Sequence, residues 1–405
     1  MDFSFLQPLT KPAESTIVLL VMDGLGDLPG PGGDATALEA ASTPNFDALL
    51  KDSICGLQEP VGPGITPGSG PGHLGVFGYN PMKYTVGRGV LSALGIDFDL
   101  QPNDVAARGN FCTLDDSGRV TDRRAGRIST ELNEELCAVL REIEVPGVEV
   151  FVETVKEHRL LLVLRGEGLS GDIDDTDPQE VGKAPLDPEP RSEDAAYTAK
   201  LVRQFLAEAR KKLADRHPAN MVLLRGFANQ PDWPTYEDVF GLRAASIAAY
   251  PMYRGVSKLV GMDALKAKDD PAAQIQMMKE HWDDYDFFYM HVKRIDSAGE
   301  DGDFDRKVEL IENVDQHLPD LLDLGPDVFF VTGDHSTPCA MKYHSWHPVP
   351  VLLWSEVCRP DPVGRDGETF GEAACLGGGL GRRMPAVDLM PLALAHADRL
   401  EKFGA

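Results

Sequence analysis

Residues 16–27 read "TIVLLVMDGLGD", an unbroken apolar run that ends on an aspartate and a glycine-rich turn. A run of this length without polar alternation suits a short strand buried on both faces, the kind found inside parallel sheets. "DFFYMHV" (286–292), "DVFFVT" (327–332) and "VPVLLW" (349–354) have the same character. Between them lie helical patterns, "DPAAQIQMMKEHW" (270–282) and "DRKVELIENVDQHLPDLL" (305–322). Strands alternating with helices predict an α/β fold whose sheet is mainly parallel with helices on both faces.

The middle of the chain is built differently. Half-apolar strand candidates, "VAARGNFCTL", "VEVFVE" and "RLLLVLRG", are followed by the Pro- and Asp-rich "DIDDTDPQEVGKAPLDPEPRSED" and one long helical pattern, "AAYTAKLVRQFLAEARKKLADR". A chain of 405 residues suits about two domains. The expected organisation is a discontinuous catalytic domain, 1–104 with 241–405, and an inserted smaller α+β domain at 105–240.

Composition narrows the function. A formal net charge of −26 disfavours a nucleic acid or an anionic membrane as partner, because both reward a basic surface. An anionic substrate then requires a local basic pocket or bound cations. The six cysteines, at 55, 112, 137, 339, 358 and 375, form no C-x-x-C pair, so neither a zinc knuckle nor a disulfide framework is indicated. No basic leader followed by an apolar stretch opens the sequence, and no apolar run approaches the ~18 residues of a membrane span. A soluble protein of the reducing cytoplasm is expected.

Chemistry collects where the apolar runs end. Asp23 follows "TIVLLVM", Asp334 and His335 follow "VFFVTG", and Asp296 comes shortly after "DFFYMHV". Ligands of open parallel sheets bind beyond the carboxyl ends of the strands. Several acids and imidazoles gathered there would repel or go unpaired, and divalent cations resolve this, since carboxylate oxygen and imidazole nitrogen together suit Mn²⁺, Mg²⁺ or Zn²⁺. Taken singly, each residue also has an ordinary reading: Asp23 as a turn opener with Gly24, Asp334 as a helix cap, His335 as a core imidazole. Ser69, in "GPGITPGSGPGHLGVFGYNP" (62–81), lies in glycine-rich backbone just ahead of a helical pattern, where N–H groups suit an anion. Its hydroxyl is a nucleophile candidate that a dication would activate.

The ordered series "MDGLGD", "ATALEAASTPNFDALL", "TPGSGPGHLGVFGYNP", "GRGVLSALG", "TDRRAGRI", "HVKRIDSAGEDGDF", "TGDHSTP" and "HSWHPVP" resembles the archaeal-type, cofactor-independent phosphoglycerate mutases of the alkaline phosphatase superfamily. The resemblance runs from about residue 16 to about 395. It implies an alkaline-phosphatase-like core, an inserted substrate-binding domain, and interconversion of 3-phosphoglycerate and 2-phosphoglycerate without 2,3-bisphosphoglycerate. By position it implies one metal on Asp23, Ser69, Asp334 and His335, and a second on Asp296, the residue at 300, and His344. Ser69 would take the phosphoryl group and return it to the other glycerate oxygen. Where many relatives read D-x-A-G-H, this chain has "DSAGE", so Glu300 stands in place of an imidazole. An added hard oxygen donor tilts the expected metals toward Mg²⁺ or Mn²⁺ and away from Zn²⁺.

Within that resemblance the insert supplies the basic pocket. Arg123, Arg124 and Arg127 of "TDRRAGRI" suit phosphate and carboxylate through bidentate forks, although a solvated basic turn has the same composition. Asp122 suits a glycerate hydroxyl. Asn110, Arg225, Arg254 and Lys258 are further pocket candidates. His73 and His291 read as structural or supporting residues, His347 as a rival to His344, and Tyr79 and Trp346 as packing residues. The alternatives are a phosphomonoesterase or a homoserine-kinase-like phosphotransferase on the same scaffold, and a noncatalytic metal- or phosphate-binding protein.

Overall fold

The computed structural model describes residues 3–31, 33–362 and 368–404. Its strands in chain order are β1 Ile17–Met22, β2 Ser53–Glu59, β3 Val105–Leu114, β4 Val120–Asp122, β5 Glu149–Lys156, β6 Arg159–Arg165, β7 Met221–Ala228, β8 Ala244–Ile247, β9 Asp263–Leu265, β10 Phe287–Val292, β11 Val328–Thr332, β12 Val349–Ser355 and β13 Gly381–Pro385. They form an eight-stranded sheet in the order β13-β2-β12-β11-β1-β10-β8-β9 and a five-stranded sheet in which β3 pairs with β4, β6 and β7.

The chain divides into two compact units, Met1–Thr85 with Pro234–Ala405, and Val86–Trp233. Residues 86–104 therefore group with the middle of the chain, not with the flanking unit to which the sequence reading gave them. The reason is the helix Arg88–Gly95, which packs on β3 and β7.

In the first unit β1 is central, and all six of its residues are buried. Both faces of the strand are thus covered, which is why its sequence shows no alternation. Val18, Leu20 and Met22 join one core cluster with Ile311, Val314 and Leu318 of the helix Phe304–Leu322. β1 pairs in parallel with β10 and β11, and β10 in parallel with β8. The sheet is mainly parallel, as expected, but "VPVLLW" is an exception. β12 runs antiparallel to both β11 and β2. A continuous apolar run reports burial on two faces and says nothing of direction.

In the second unit, Val105, Ala107 and Phe111 of β3 enter a core made with the helices Thr130–Leu140 and Ala196–Leu213. Arg108 and Asn110, at the alternate positions, emerge on the other face. Among the described residues no helix is long and apolar enough to cross a membrane.

One buried ion pair braces the first unit. Lys307 is fully buried, its Nζ 3.1 Å from Asp27 Oδ2 and donating to the carbonyls of Thr337 at 3.0 Å and Gly26 at 3.3 Å. It ties the turn after β1 to the loop after β11. Lys307→Met removes one charge and strands the other, a change that costs about 3–5 kcal/mol. Chemical denaturation of the variant should show a midpoint lowered accordingly; a loss within 1 kcal/mol, to order of magnitude, would mean that Asp27 finds water or another partner.

Candidate metal centre and arginine face

The parallel register sets the centre. Val21 lies level with His291 on one side and with Thr332 on the other, so β1, β10 and β11 end together. Asp23 follows β1, and its N–H donates to the Val292 carbonyl at 3.0 Å. Asp334 follows β11 and accepts from the Gly24 N–H at 3.2 Å. Asp296 sits in the first turn of the helix Arg294–Asp301 that follows β10. Ser69 opens the eight-residue helix Ser69–Val76 after β2.

Four side-chain atoms converge. His335 Nε2 lies 3.2 Å from Asp334 Oδ2, 3.4 Å from Asp23 Oδ1 and 3.4 Å from Ser69 Oγ. Both Asp23 oxygens and Asp334 Oδ2 are buried without a hydrogen-bond partner. Donor atoms each about 2.1 Å from a shared ion stand roughly 3.0–3.4 Å apart, so the spacing suits a small dication. Burial lowers the pKa of His335 and keeps its ring neutral, although the nearby carboxylates pull the other way. Burial also opposes the charge on Asp23, but Lys293, His291 and His335 outweigh it and hold that carboxyl well below the usual range. A neutral imidazole, two ionised carboxylates and a hydroxyl facing one point form a donor set that fits a cation.

A second group adjoins the first. His344 Nδ1 donates to the Pro67 carbonyl at 3.0 Å, which leaves Nε2 facing Asp296 Oδ1 at 3.6 Å. The rings of His335 and His344 stack with centroids 3.6 Å apart. Among the described residues the tight donor triads are Asp23, Asp334 and His335, and Asp296, His335 and His344. Glu300 stands outside them, 4.0 Å from His344 Nε2 with its side chain 55% exposed. Burial and the charge of Asp296 raise its pKa. His347, the rival, bonds Ser345 Oγ at 2.9 Å and belongs to neither triad.

Two buried imidazoles support the carboxylates. His73 Nδ1 donates to the Ser69 carbonyl at 2.7 Å and lies 3.1 Å from Asp334 Oδ2, and His291 Nε2 lies 3.2 Å from Asp23 Oδ2. Both residues thus hold the supporting positions expected of them. Tyr79 is buried with its hydroxyl on the Pro234 carbonyl, whereas Trp346 is 46% exposed. Sequence reasoning passed over Lys293, whose ammonium pairs with Asp296 and lies 3.4 Å from Asp23 Oδ2. Its spacing of three residues from Asp296 on one helical face was the available signal.

Against these distances, relatives of this chain can be weighed. A family profile described as 2,3-bisphosphoglycerate-independent phosphoglycerate mutase matches residues 51–220. A Thermus thermophilus protein named "Probable 2,3-bisphosphoglycerate-independent phosphoglycerate mutase" is 48% identical over 408 residues, covering 100% of this chain and 99% of its own. The chain belongs to that mutase family. An Aquifex aeolicus protein of the same name is also 48% identical, with 99% of each chain covered. The solved cofactor-independent phosphoglycerate mutase of Thermoplasma acidophilum superposes with a TM-score of 0.69 at 29% identity, over 94% of this chain and 100% of that one. The PH0037 protein of Pyrococcus horikoshii gives 0.83 at 29% identity, over 97% and 100%.

The mutase chain's second unit gathers arginines. In cross-strand register Arg108 lies opposite Arg225 of β7, and Asn110 opposite Arg159 of β6, so all four share one face. His158 is buried beside them, and its pKa falls to about 3, first through burial and then through the charges of Arg159, Arg124, Arg108 and Arg127. Arg108 and Arg159 were not singled out from the sequence; the strand pairing that brings them to Arg225 and Asn110 has no local signature. Asn110 Oδ1 is buried and has no hydrogen-bond partner. Ala125, Gly126 and Arg127 all have positive φ (46°, 66° and 52°), a strained turn held by Asp122, which accepts from the N–H groups of Arg124 at 2.8 Å and Gly126 at 2.6 Å.

Two expected pocket residues therefore have other work. Asp122 braces the turn with both oxygens. Arg123 is committed to fully buried Asp177 through a fork at 2.9 and 2.6 Å. Arg225 also approaches Asp175 and Asp177, at 3.4 and 3.7 Å. Arg254 and Lys258 belong to the first unit, on the helix Pro251–Leu259, which packs against the Ser69 helix.

Proposed function

We propose that this chain interconverts 3-phosphoglycerate and 2-phosphoglycerate through a phosphoserine at Ser69, using two divalent cations and no 2,3-bisphosphoglycerate. The observation that carries this reading is the approach of Ser69 Oγ to His335 Nε2, at 3.4 Å, where Asp23 and Asp334 also converge. Asp23, Ser69, Asp334 and His335 would hold one cation, and Asp296, Glu300 and His344 the other. Bound there, the cations supply positive charge that lowers the serine hydroxyl's pKa and neutralises the phosphoryl oxygens. The hard oxygen of Glu300 favours Mn²⁺ or Mg²⁺ over Zn²⁺.

Ser69 Oγ loses its proton and bonds phosphorus while the phosphorus–oxygen bond to the glycerate breaks, and the freed glycerate oxygen takes up a proton. The return step reverses these bonds on the neighbouring hydroxyl. Phosphate is neither consumed nor released. Helix Ser69–Val76 presents its first-turn N–H groups to the anion. Arg108, Arg124, Arg127, Arg159 and Arg225, with Asn110, supply donors for phosphate and carboxylate. The scattered free thiols, most of them buried, accord with a cytoplasmic enzyme.

The deciding assay supplies 3-phosphoglycerate alone, couples the product to enolase and follows inorganic phosphate in parallel. Product without phosphate release supports the mutase. Stoichiometric phosphate release points to a phosphomonoesterase, and transfer to added homoserine points to a phosphotransferase. Arg124→Ala removes an exposed guanidinium that no carboxylate among the described residues claims, so kcat/KM should fall about 10- to 100-fold, the worth of a charge-assisted contact. The loss should lie mainly in KM. An unchanged kcat/KM removes Arg124 from the substrate face.

A further inference from the structure

The loop after β11 carries a residue that touches ligands of both candidate cations. Thr337 is fully buried, and its Oγ1 donates to Asp296 Oδ1 at 2.6 Å and lies 2.9 Å from His335 Nδ1. From this geometry we propose that Thr337 is a positioning residue: it fixes the tautomer of His335 and links the two cation sites. The inference rests on the two-cation reading above for its second half only.

A hydroxyl has one hydrogen, and an ionised carboxylate only accepts. The Thr337 hydrogen therefore goes to Asp296, and its oxygen accepts the hydrogen of His335 Nδ1. That leaves His335 Nε2 with a lone pair, aimed at the point shared by Asp23, Asp334 and Ser69. The opposite tautomer sets the Nδ1 lone pair against a hydroxyl oxygen that has no hydrogen left to offer. One side chain thus orients the imidazole ligand of the first site while it holds the carboxylate ligand of the second, the outer-shell role that fixes metal-binding histidines elsewhere.

The surroundings anchor the Thr337 backbone and crowd its side chain. Its N–H donates to the Gly26 carbonyl at 3.0 Å, and its own carbonyl accepts from Lys307 Nζ at 3.0 Å. Two glycines close on it from the ligand-bearing segments. A Cβ at Gly24, in the turn after β1, would meet Thr337 Oγ1 at 2.6 Å. A Cβ at Gly299, in the helix that carries Asp296, would meet the Thr337 carbonyl at 2.4 Å and Cγ2 at 3.0 Å. The turn with Asp23, the helix with Asp296 and the loop with Asp334 and His335 therefore meet at this threonine.

The test uses the full chain with Thr337→Val, which keeps the volume, and Thr337→Ser, which keeps the hydroxyl. Histidines are labelled with ¹⁵N, His335 is assigned by its loss in His335→Gln, and two-bond ¹H–¹⁵N correlations are read in metal-free protein. Wild type and the serine variant should show hydrogen on Nδ1, and the valine variant should lose that signature. In calorimetric titrations with Mn²⁺, the serine variant should bind within about threefold of wild type, and the valine variant at least tenfold more weakly at one site. A wild-type His335 carrying its hydrogen on Nε2 overturns the inference even if the valine variant fails to fold. So does a valine variant with unaltered tautomer and Mn²⁺ affinities. A wild type with hydrogen on Nδ1 that takes up no Mn²⁺ supports the tautomer assignment and ends the two-cation reading by itself.

Discussion

Ser69→Ala is expected to cut conversion of 3-phosphoglycerate by about four orders of magnitude or more, the scale seen when a covalent nucleophile is removed. The fold should survive the change. Ser69 is partly exposed at the first position of its helix, and the bond that secures the segment, from His73, is made to the Ser69 backbone carbonyl, which alanine retains. Alanine is also a good helix former there. Circular dichroism and the thermal midpoint should match the parent, while the enolase-coupled rate disappears and acid-quenched protein no longer yields phosphoserine. Undiminished turnover would take Ser69 out of the chemistry and leave the hydroxyl as a ligand at most.

The strand ends were legible because burial on two faces writes itself locally: β1, β10 and β11 each read as an apolar run, and each run delivers its acid or imidazole to the same edge. Once those three strands are parallel neighbours, Asp23, Asp334 and His335 have to meet. The direction of β12 left no such trace. Nor did the unit boundary, because the allegiance of the helix Arg88–Gly95 lies in its packing on β3 and β7, which the sequence before it does not disclose.

In the second unit the residue types were visible and their partners were not. Arg123 and Arg124 are adjacent in sequence, yet one guanidinium is spent on Asp177, 54 positions away, while the other faces solvent. Asp122 looked like a ligand for a hydroxyl and instead stabilises a turn with three successive positive φ angles. Arg108 and Arg159 reach the same face as Arg225 only through strand register, a long-range property. Sequence thus exposed the groups placed by local burial, and hid those placed by pairing across the sheet.

Removal of divalent cations should silence the enzyme and also loosen it, and the second effect follows from charge alone. Asp23 and Asp334 are buried, lack hydrogen-bond partners at three of their four oxygens, and repel each other; burial and Asp23 press upward on the Asp334 carboxyl, which His335 and His73 together hold low. Lys293 is the internal cation that limits the cost, its ammonium shared between Asp296 and Asp23. One ammonium cannot neutralise three carboxylates. A cation present at 100 times its dissociation constant stabilises the native state by about 2.7 kcal/mol, which in a protein of 405 residues corresponds to a thermal midpoint roughly 3 °C higher. After chelation, activity should fall below about 1% of the starting rate, as expected when the charge that activates the nucleophile is gone; Mn²⁺ or Mg²⁺ should restore both activity and midpoint. Metal-stripped protein that keeps full activity would exclude the cations from the chemistry. A midpoint that stays put on chelation would mean that Lys293 and the four imidazoles around the centre balance the acids unaided.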